Sequence, residues 1–215
     1  RIVRDRELDG RKETFQELVQ KGLGGFLVRN MESYGILDTM GLTSRIVLDA
    51  NIYTMNNRAE AFWMKKGILG DTVPLELNAK ELVHRNNKNS ELTVYGYTPM
   101  MVSVQCVQKT MDHCNHACVQ YVLKDRYQKE FRGVCSCEFC YNTIYNTLPT
   151  SLLKEKEKAE KLGVKAYRLS FTIETQQETE KIVRAFVDVY LRGQKPDGQM
   201  QTEETTKGHF QRGVE

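Results

Sequence analysis

The sequence predicts an α/β fold: a partial (β/α) barrel-like parallel sheet with a Cys-rich insertion and a C-terminal strand–helix unit. Three observations carry that expectation. Short apolar runs alternate with amphipathic stretches roughly every 22 residues from Phe26 to Tyr95, the rhythm of βα units. Those runs are continuous, as in strands buried on both faces. All six cysteines fall between Cys106 and Cys140, where the rhythm breaks.

Residues 10–21 carry Phe15, Leu18 and Val19 at helical spacing, and Gly22, Gly24 and Gly25 end that helix. Phe26-Leu27-Val28 reads as a buried strand, residues 31–40 as a helix stopped by Gly41, and Arg45 to Asp49 as a second strand. Asn56 is suited to cap a helix over 57–66, with Ala59, Phe62 and Trp63 on one face. Thr72 to Leu77 is expected as a third strand weakened by Pro74. Asn78 then caps a short helix from Ala79 to His84, and Glu91 to Tyr95 forms a fourth strand. Beyond the cysteines come a helix from Leu152 to Leu162, a strand from Ala166 to Thr172 and a helix from Glu178 to Leu191. Residues 193–208 are polar and expected as a loose tail. The expected division is 1–98 for the βα repeats, 99–150 for the metal-binding segment, 151–192 for the closing helix–strand–helix, and 193–215 for the tail.

The chain has 215 residues, 40% hydrophobic and 27% charged, which suits a globular domain. Its formal net charge of +3 does not argue for nucleic acid by itself. No apolar run approaches the roughly 20 residues that span a bilayer, and the start, Arg1-Ile2-Val3-Arg4, lacks a signal peptide's apolar core. A cytoplasmic protein that avoids membranes is expected. The absent initiator Met, and a length short of the roughly 250 residues of a full barrel, suggest a fragment. The rest of the polypeptide, or a companion subunit, is then an expected partner.

A secreted disulfide scaffold spreads its cysteines along the chain; here they are confined to Cys106-x7-Cys114-x3-Cys118 and Cys135-x-Cys137-x2-Cys140. Six thiols so close together favour metal binding over free structural thiols or disulfides. Four sulfurs suit a 4Fe–4S cluster or a tetrahedral zinc. The x7 gap is unlike the short pairs of most zinc fingers, which favours iron–sulfur, with zinc the alternative. His113 and His116 are further candidate ligands, although a lone histidine is more often structural.

Several motifs are distinctive. They are Tyr95-Gly96-Tyr97-Thr98-Pro99-Met100-Met101-Val102-Ser103-Val104-Gln105-Cys106, Leu123-Lys124-Asp125-Arg126-Tyr127-Gln128-Lys129-Glu130-Phe131, Cys137-Glu138-Phe139-Cys140-Tyr141-Asn142-Thr143-Ile144-Tyr145-Asn146 and the ending Gly208-His209-Phe210-Gln211-Arg212-Gly213-Val214-Glu215. Over residues 24–215 the chain resembles peptidase family U32, the collagenase-like peptidases, and most closely the middle portion of its large members. The resemblance implies either proteolysis or hydroxylation, because some members hydroxylate tRNA or ribosomal RNA bases or ubiquinone precursors. Those members hold a 4Fe–4S cluster on four cysteines. Carried over by motif, the ligands are Cys106, Cys114, Cys137 and Cys140. Cys118 and Cys135 are additional, as spare thiols or as substitutes, Cys135 being the nearer to Cys137.

A cysteine peptidase, acting on a protein substrate, needs a thiolate beside an activating histidine. No residue pattern singles out such a pair, and no Gly-x-Ser-x-Gly or His-Glu-x-x-His occurs. In a barrel, the site gathers at the C-terminal strand ends. Arg29, Asn30, Asp49, Asn51, Glu76, Asn78, Tyr95 and Tyr97 occupy such positions, and Arg168 and Glu174 flank the later strand. Glu76, Asn51, Tyr97, Arg168 and Glu174 are therefore the candidate catalytic residues, although Asn51 and Asn78 also suit turns and caps. Lys124, Arg126, Lys129 and Arg132, interleaved with Tyr121, Tyr127 and Phe131, suit single-stranded RNA, against the plainer reading of a solvated hairpin. A cluster-dependent hydroxylase of tRNA or rRNA bases is the expected function. A protease and a non-catalytic zinc-stabilised module are the alternatives.

Overall fold

The computed structural model describes residues 10–112, 114–196 and 204–214. Its first elements are α1 (Arg11–Gln20), β1 (Phe26–Val28), α2 (Met31–Thr39), β2 (Ile46–Leu48), α3 (Asn57–Lys65), β3 (Gly70–Thr72), α4 (Ala79–Leu82) and β4 (Ser90–Gly96). Asparagines start three of the four helices. Asn30 accepts from Ser33 N, Asn56 from Arg58 N and Ala59 N, and Asn78 forms a capping box with Glu81, each satisfying amides that the first helical turn leaves unpaired. Gly41 and Gly67, at φ of 70° and 87°, turn the chain out of α2 and α3.

The chain divides into two compact units. The first runs to Thr93 and adds Glu157–Arg168 and the end of the chain from Gly208; the second comprises the intervening segments. In the first unit β1 to β4 pair in parallel in sequence order. Val28, Leu37, Ile46, Leu48, Trp63 and Ile68 form its core. Tyr34 meets Trp63 edge-on at 4.8 Å, and Phe15 meets Phe26 at 5.3 Å.

β3 departs from the expected Thr72–Leu77. It lies two residues earlier and stops at Thr72. Val73 N still donates to Glu91 O at 2.8 Å, and Pro74, with no N–H, ends the ladder. Gly70 is required at its start, because a Cβ there would stand 2.2 Å from the carbonyl oxygen of Asn89. An apolar-run reading overlooks Asp71, which is buried at the middle of this strand with 1% exposure. Arg85 and the Thr54 hydroxyl bond one of its oxygens, and Ser90 Oγ donates to the other at 2.5 Å. Arg85 is itself saturated: Nε donates to Thr54 O at 2.8 Å, and one terminal nitrogen donates to Asn87 Oδ1 at 2.9 Å and Ser90 Oγ at 3.0 Å.

The cysteine segment, read from sequence as an irregular excursion, is an antiparallel sheet. Its strands are β5 (Pro99–Ser103), β6 (Gln120–Lys124), β7 (Glu130–Ser136) and β8 (Tyr141–Tyr145), in the order β5-β8-β7-β6. A short helix, α5 (Val107–Thr110), lies between β5 and β6. β9 (Thr150–Ser151), α6 (Lys156–Glu160), β10 (Ala166–Ser170) and α7 (Gln176–Phe186) follow. The expected helix from Leu152 to Leu162 is shorter, a 3-10 turn at Leu153–Glu155 leading into α6. α7, capped by Thr175 and Glu178, passes into a π-helical turn at Val187–Leu191. Part of the expected tail lies outside the described residues. Thr206, within it, is not loose: it accepts from Ser151 N at 2.8 Å and donates to Pro149 O at 2.9 Å.

The larger sheet runs β1-β2-β3-β4-β10, with β9 antiparallel on β4. Among the described residues it is open, a partial barrel-like sheet and not a closed barrel. Among the described residues no helix is long and apolar enough to cross a membrane.

The Asp71–Arg85 pair sets the first prediction. Arg85→Ala leaves a buried carboxylate without its cation and lowers unfolding stability by about 3–5 kcal/mol. Arg29→Ala, at a pair whose arginine is 54% exposed, costs less than about 1 kcal/mol. Urea midpoints with unchanged slopes measure both, and equal effects would contradict the assignment.

Candidate metal centre

The second unit positions the thiols from different elements. Cys106 precedes α5, and Cys114 and Cys118 lie in the connection to β6. Cys135 is in β7, Cys137 opens a 3-10 turn, and Cys140 ends that turn at φ 51°. Cys135 is 1% exposed and Cys137 is also buried, Cys106 is half-buried, and Cys114, Cys118 and Cys140 are exposed.

Antiparallel pairing of β7 with β8 places Cys135 opposite Asn142. The Cys135 thiol donates to Asn142 Oδ1 at 2.9 Å, and Asn142 Nδ2 donates to Gln105 O at 2.7 Å. This amide links β8 to the residue before Cys106 and brings Cys106 Sγ within 3.6 Å of Cys135 Sγ. Two sulfurs on one tetrahedral ion stand about 3.8 Å apart, given bonds near 2.3 Å, so this pair is spaced for shared ligation. Cys137 Sγ donates to Ala117 O at 2.7 Å, which ties the loop of Cys114 and Cys118 to the turn. Cys140 Sγ faces the Cys137 carbonyl at 3.6 Å.

The thiols differ in acidity. Backbone N–H of Lys109 holds the Cys106 thiol below its usual range. Burial, reinforced by Cys106, pushes Cys135 up to about 12, and burial also raises Cys137.

Thiol donors fit a soft or borderline metal, and two buried polar atoms of this unit, Tyr121 Oη and Gln108 Oε1, have no hydrogen-bond partner among the described residues. No three His, Cys, Asp or Glu side chains among the described residues are grouped to hold one ion. A four-sulfur centre therefore needs the exposed thiols to join the inner ones. The Cys106–Cys135 approach includes Cys135, named from sequence as a substitute ligand; His113 lies outside the described residues.

The candidate catalytic residues separate by unit. In the first, Asn51 and Arg168 meet at Asp49, which the choice of candidates passed over. Arg168 donates to Asp49 Oδ1 at 2.9 Å, Arg29 Nε to Oδ2 at 2.7 Å, and Asn51 Nδ2 reaches Oδ2 at 3.5 Å. Arg168 also pairs with Glu91, which accepts from Thr72 Oγ1 at 2.8 Å. The available signal was Asp49's position just past a parallel strand. Glu76 sits in the turn before α4, not in a strand, and its Oε2 is buried without a partner among the described residues. In the second unit, Tyr97 follows β4 and is half-buried. Glu174 Oε2 accepts from Thr172 N and Ile173 N at 2.6 and 2.9 Å, an arrangement that holds the turn before α7, while Oε1 is buried without a partner among the described residues.

An open, largely parallel α/β sheet combined with a thiol-bearing antiparallel sheet defines the class: an α/β protein with a candidate metal centre in its second unit. The sequence model of peptidase family U32 matches residues 1–215, and the chain belongs to that family. Membership sets it, at family level, among peptidase-like enzymes. No curated protein and no solved structure gave a match.

Thiol environments give the second prediction. In metal-free protein at pH 8.5, iodoacetamide labels Cys114, Cys118 and Cys140 first and Cys135 last, as read by peptide mass spectrometry. A raised folded pKa makes the protonated Cys135 a contributor to stability below the ordinary thiol value of 9.0, and that contribution is lost as pH rises towards about 12. Early labelling of Cys135 in folded protein would contradict its placement.

Proposed function

We propose that this U32 member is an iron–sulfur-dependent hydroxylase of tRNA or rRNA bases. The observation that carries the reading is the Cys106–Cys135 approach inside a unit containing all six thiols. A 4Fe–4S group, when bound, supplies one-electron chemistry. Cys106, Cys114, Cys137 and Cys140 would hold it, with Cys135 or Cys118 as substitute, while Asn142 fixes Cys135 and Ala117 O fixes Cys137. Zinc remains the alternative for the same donors, in a non-catalytic module.

RNA is favoured as partner by the β6–β7 hairpin. Tyr127 at its tip is 67% exposed, and the Arg126 guanidinium lies 4.7 Å over its ring. Lys124, Lys129 and Arg132 are exposed nearby, Lys124 pairing with Glu130 at 3.0 Å. Tyr121 and Phe131 are half-buried, so the hairpin offers one outward ring among cations, which suits stacking on an unpaired base. The proteolytic alternative needs a thiol–imidazole pair. Among the described residues no histidine hydrogen-bonds a cysteine, and His209 Nδ1 is engaged with Gly213 O at 2.9 Å.

Two measurements test the proposal. Protein purified without oxygen contains roughly four irons with matching sulfide. Cys137→Ser and Cys140→Ser lose that iron and Cys118→Ser keeps it; zinc without iron would sink the cluster reading. Tyr127→Ala weakens single-stranded RNA binding by about 1–3 kcal/mol in a fluorescence titration. Iron-loaded protein that cleaves peptides and leaves RNA unmodified would favour the protease instead.

A further inference from the structure

Tyr121 and Gly133 face each other across β6 and β7. A Cβ on residue 133 would stand 2.3 Å from Tyr121 Cζ and 2.7 Å from its hydroxyl oxygen. The ring therefore lies over the glycine, in space that any larger residue would fill. Side chains two apart on a strand share a face, so residue 133 and Cys135 point to the same side of β7. The Tyr121 ring is thus on the face of the sheet that carries Cys135, the partner of Cys106. A phenol keeps its proton at neutral pH, so this hydroxyl is a donor. That hydroxyl is shielded from solvent and has no acceptor among the described residues. Buried hydroxyls are rarely left so.

We propose that Tyr121 is a positioning residue for the group the thiols hold: its O–H donates to a sulfur of a bound iron–sulfur group, and Gly133 gives the ring its place. The proposal rests on the iron–sulfur reading above. A hydrogen bond to anionic sulfur withdraws charge, favours the reduced state and raises the reduction potential.

The test compares Tyr121→Phe with the unsubstituted full chain, both purified and loaded without oxygen. Iron and sulfide content, midpoint potential and the electron paramagnetic resonance of the reduced form are measured. The expected result is unchanged iron and sulfide, a lower midpoint potential and a changed resonance. An unchanged potential and resonance would overturn the proposal, as would loss of iron from the variant, since the hydroxyl would then be retaining the group and not tuning it. Absence of iron from the unsubstituted chain is a different failure. It overturns the iron–sulfur reading itself, and this proposal with it.

Discussion

A carboxylate at the middle of a parallel sheet sets the terms for the first unit. Asp71 has almost no contact with solvent, and a buried charge persists only with excellent partners. Arg85, Thr54 and Ser90 supply them, and each comes from a different part of the chain. Thr54 fixes the segment after β2, Arg85 the segment after α4, and Ser90 the start of β4. Asn87 extends the network, accepting from Arg85 and donating to Leu82 O and Leu162 O at 2.8 and 3.1 Å. One polar knot therefore determines where three connections run, while Ile46, Leu48 and Trp63 supply apolar burial that specifies no single arrangement.

The second unit solves a different problem with the same means. Thiols spread over 35 positions, Cys106 to Cys140, come together only if the intervening chain folds back on itself. The β7–β8 pairing does this by setting Cys135 against Asn142, and the Asn142 amide then reaches the backbone beside Cys106. A buried amide with both ends bonded is a directional constraint that apolar packing cannot supply. The consequence is an inner group of shielded sulfurs, Cys135 and Cys137, with Cys106 beside them and three exposed sulfurs outside. Graded acidity follows, because burial disfavours a thiolate and backbone N–H groups favour it.

Much of the first unit was legible. Helix starts at Asn56 and Asn78 follow from a short side chain that accepts from the first amides, a local property. β1 and β2 follow from apolar runs, with ends within a residue of those expected. β3 was misplaced because Asp71 and Gly70 do not look like strand residues until a cation and a close carbonyl are set beside them. In the second unit, the apolar run Tyr121-Val122-Leu123 was a usable strand signal, and the cysteine spacing overshadowed it. Of the candidate site residues, Arg168 and Asn51 were brought together by Asp49, while Glu76 and Glu174 lie in turns.

The sequence by itself determined the family, the helix caps, the alternation of strand and helix, and the confinement of every thiol to one segment. These depend on residue identity and on neighbours a few positions away. Tertiary structure alone decided that the Cys106 and Cys135 thiols meet, that Tyr121 lies over Gly133, and that Asp71 is buried with Arg85. Each is a contact between residues at least 12 positions apart, fixed by strand register or by the demand of a buried polar group for a partner. Spacing along a chain carries neither kind of information.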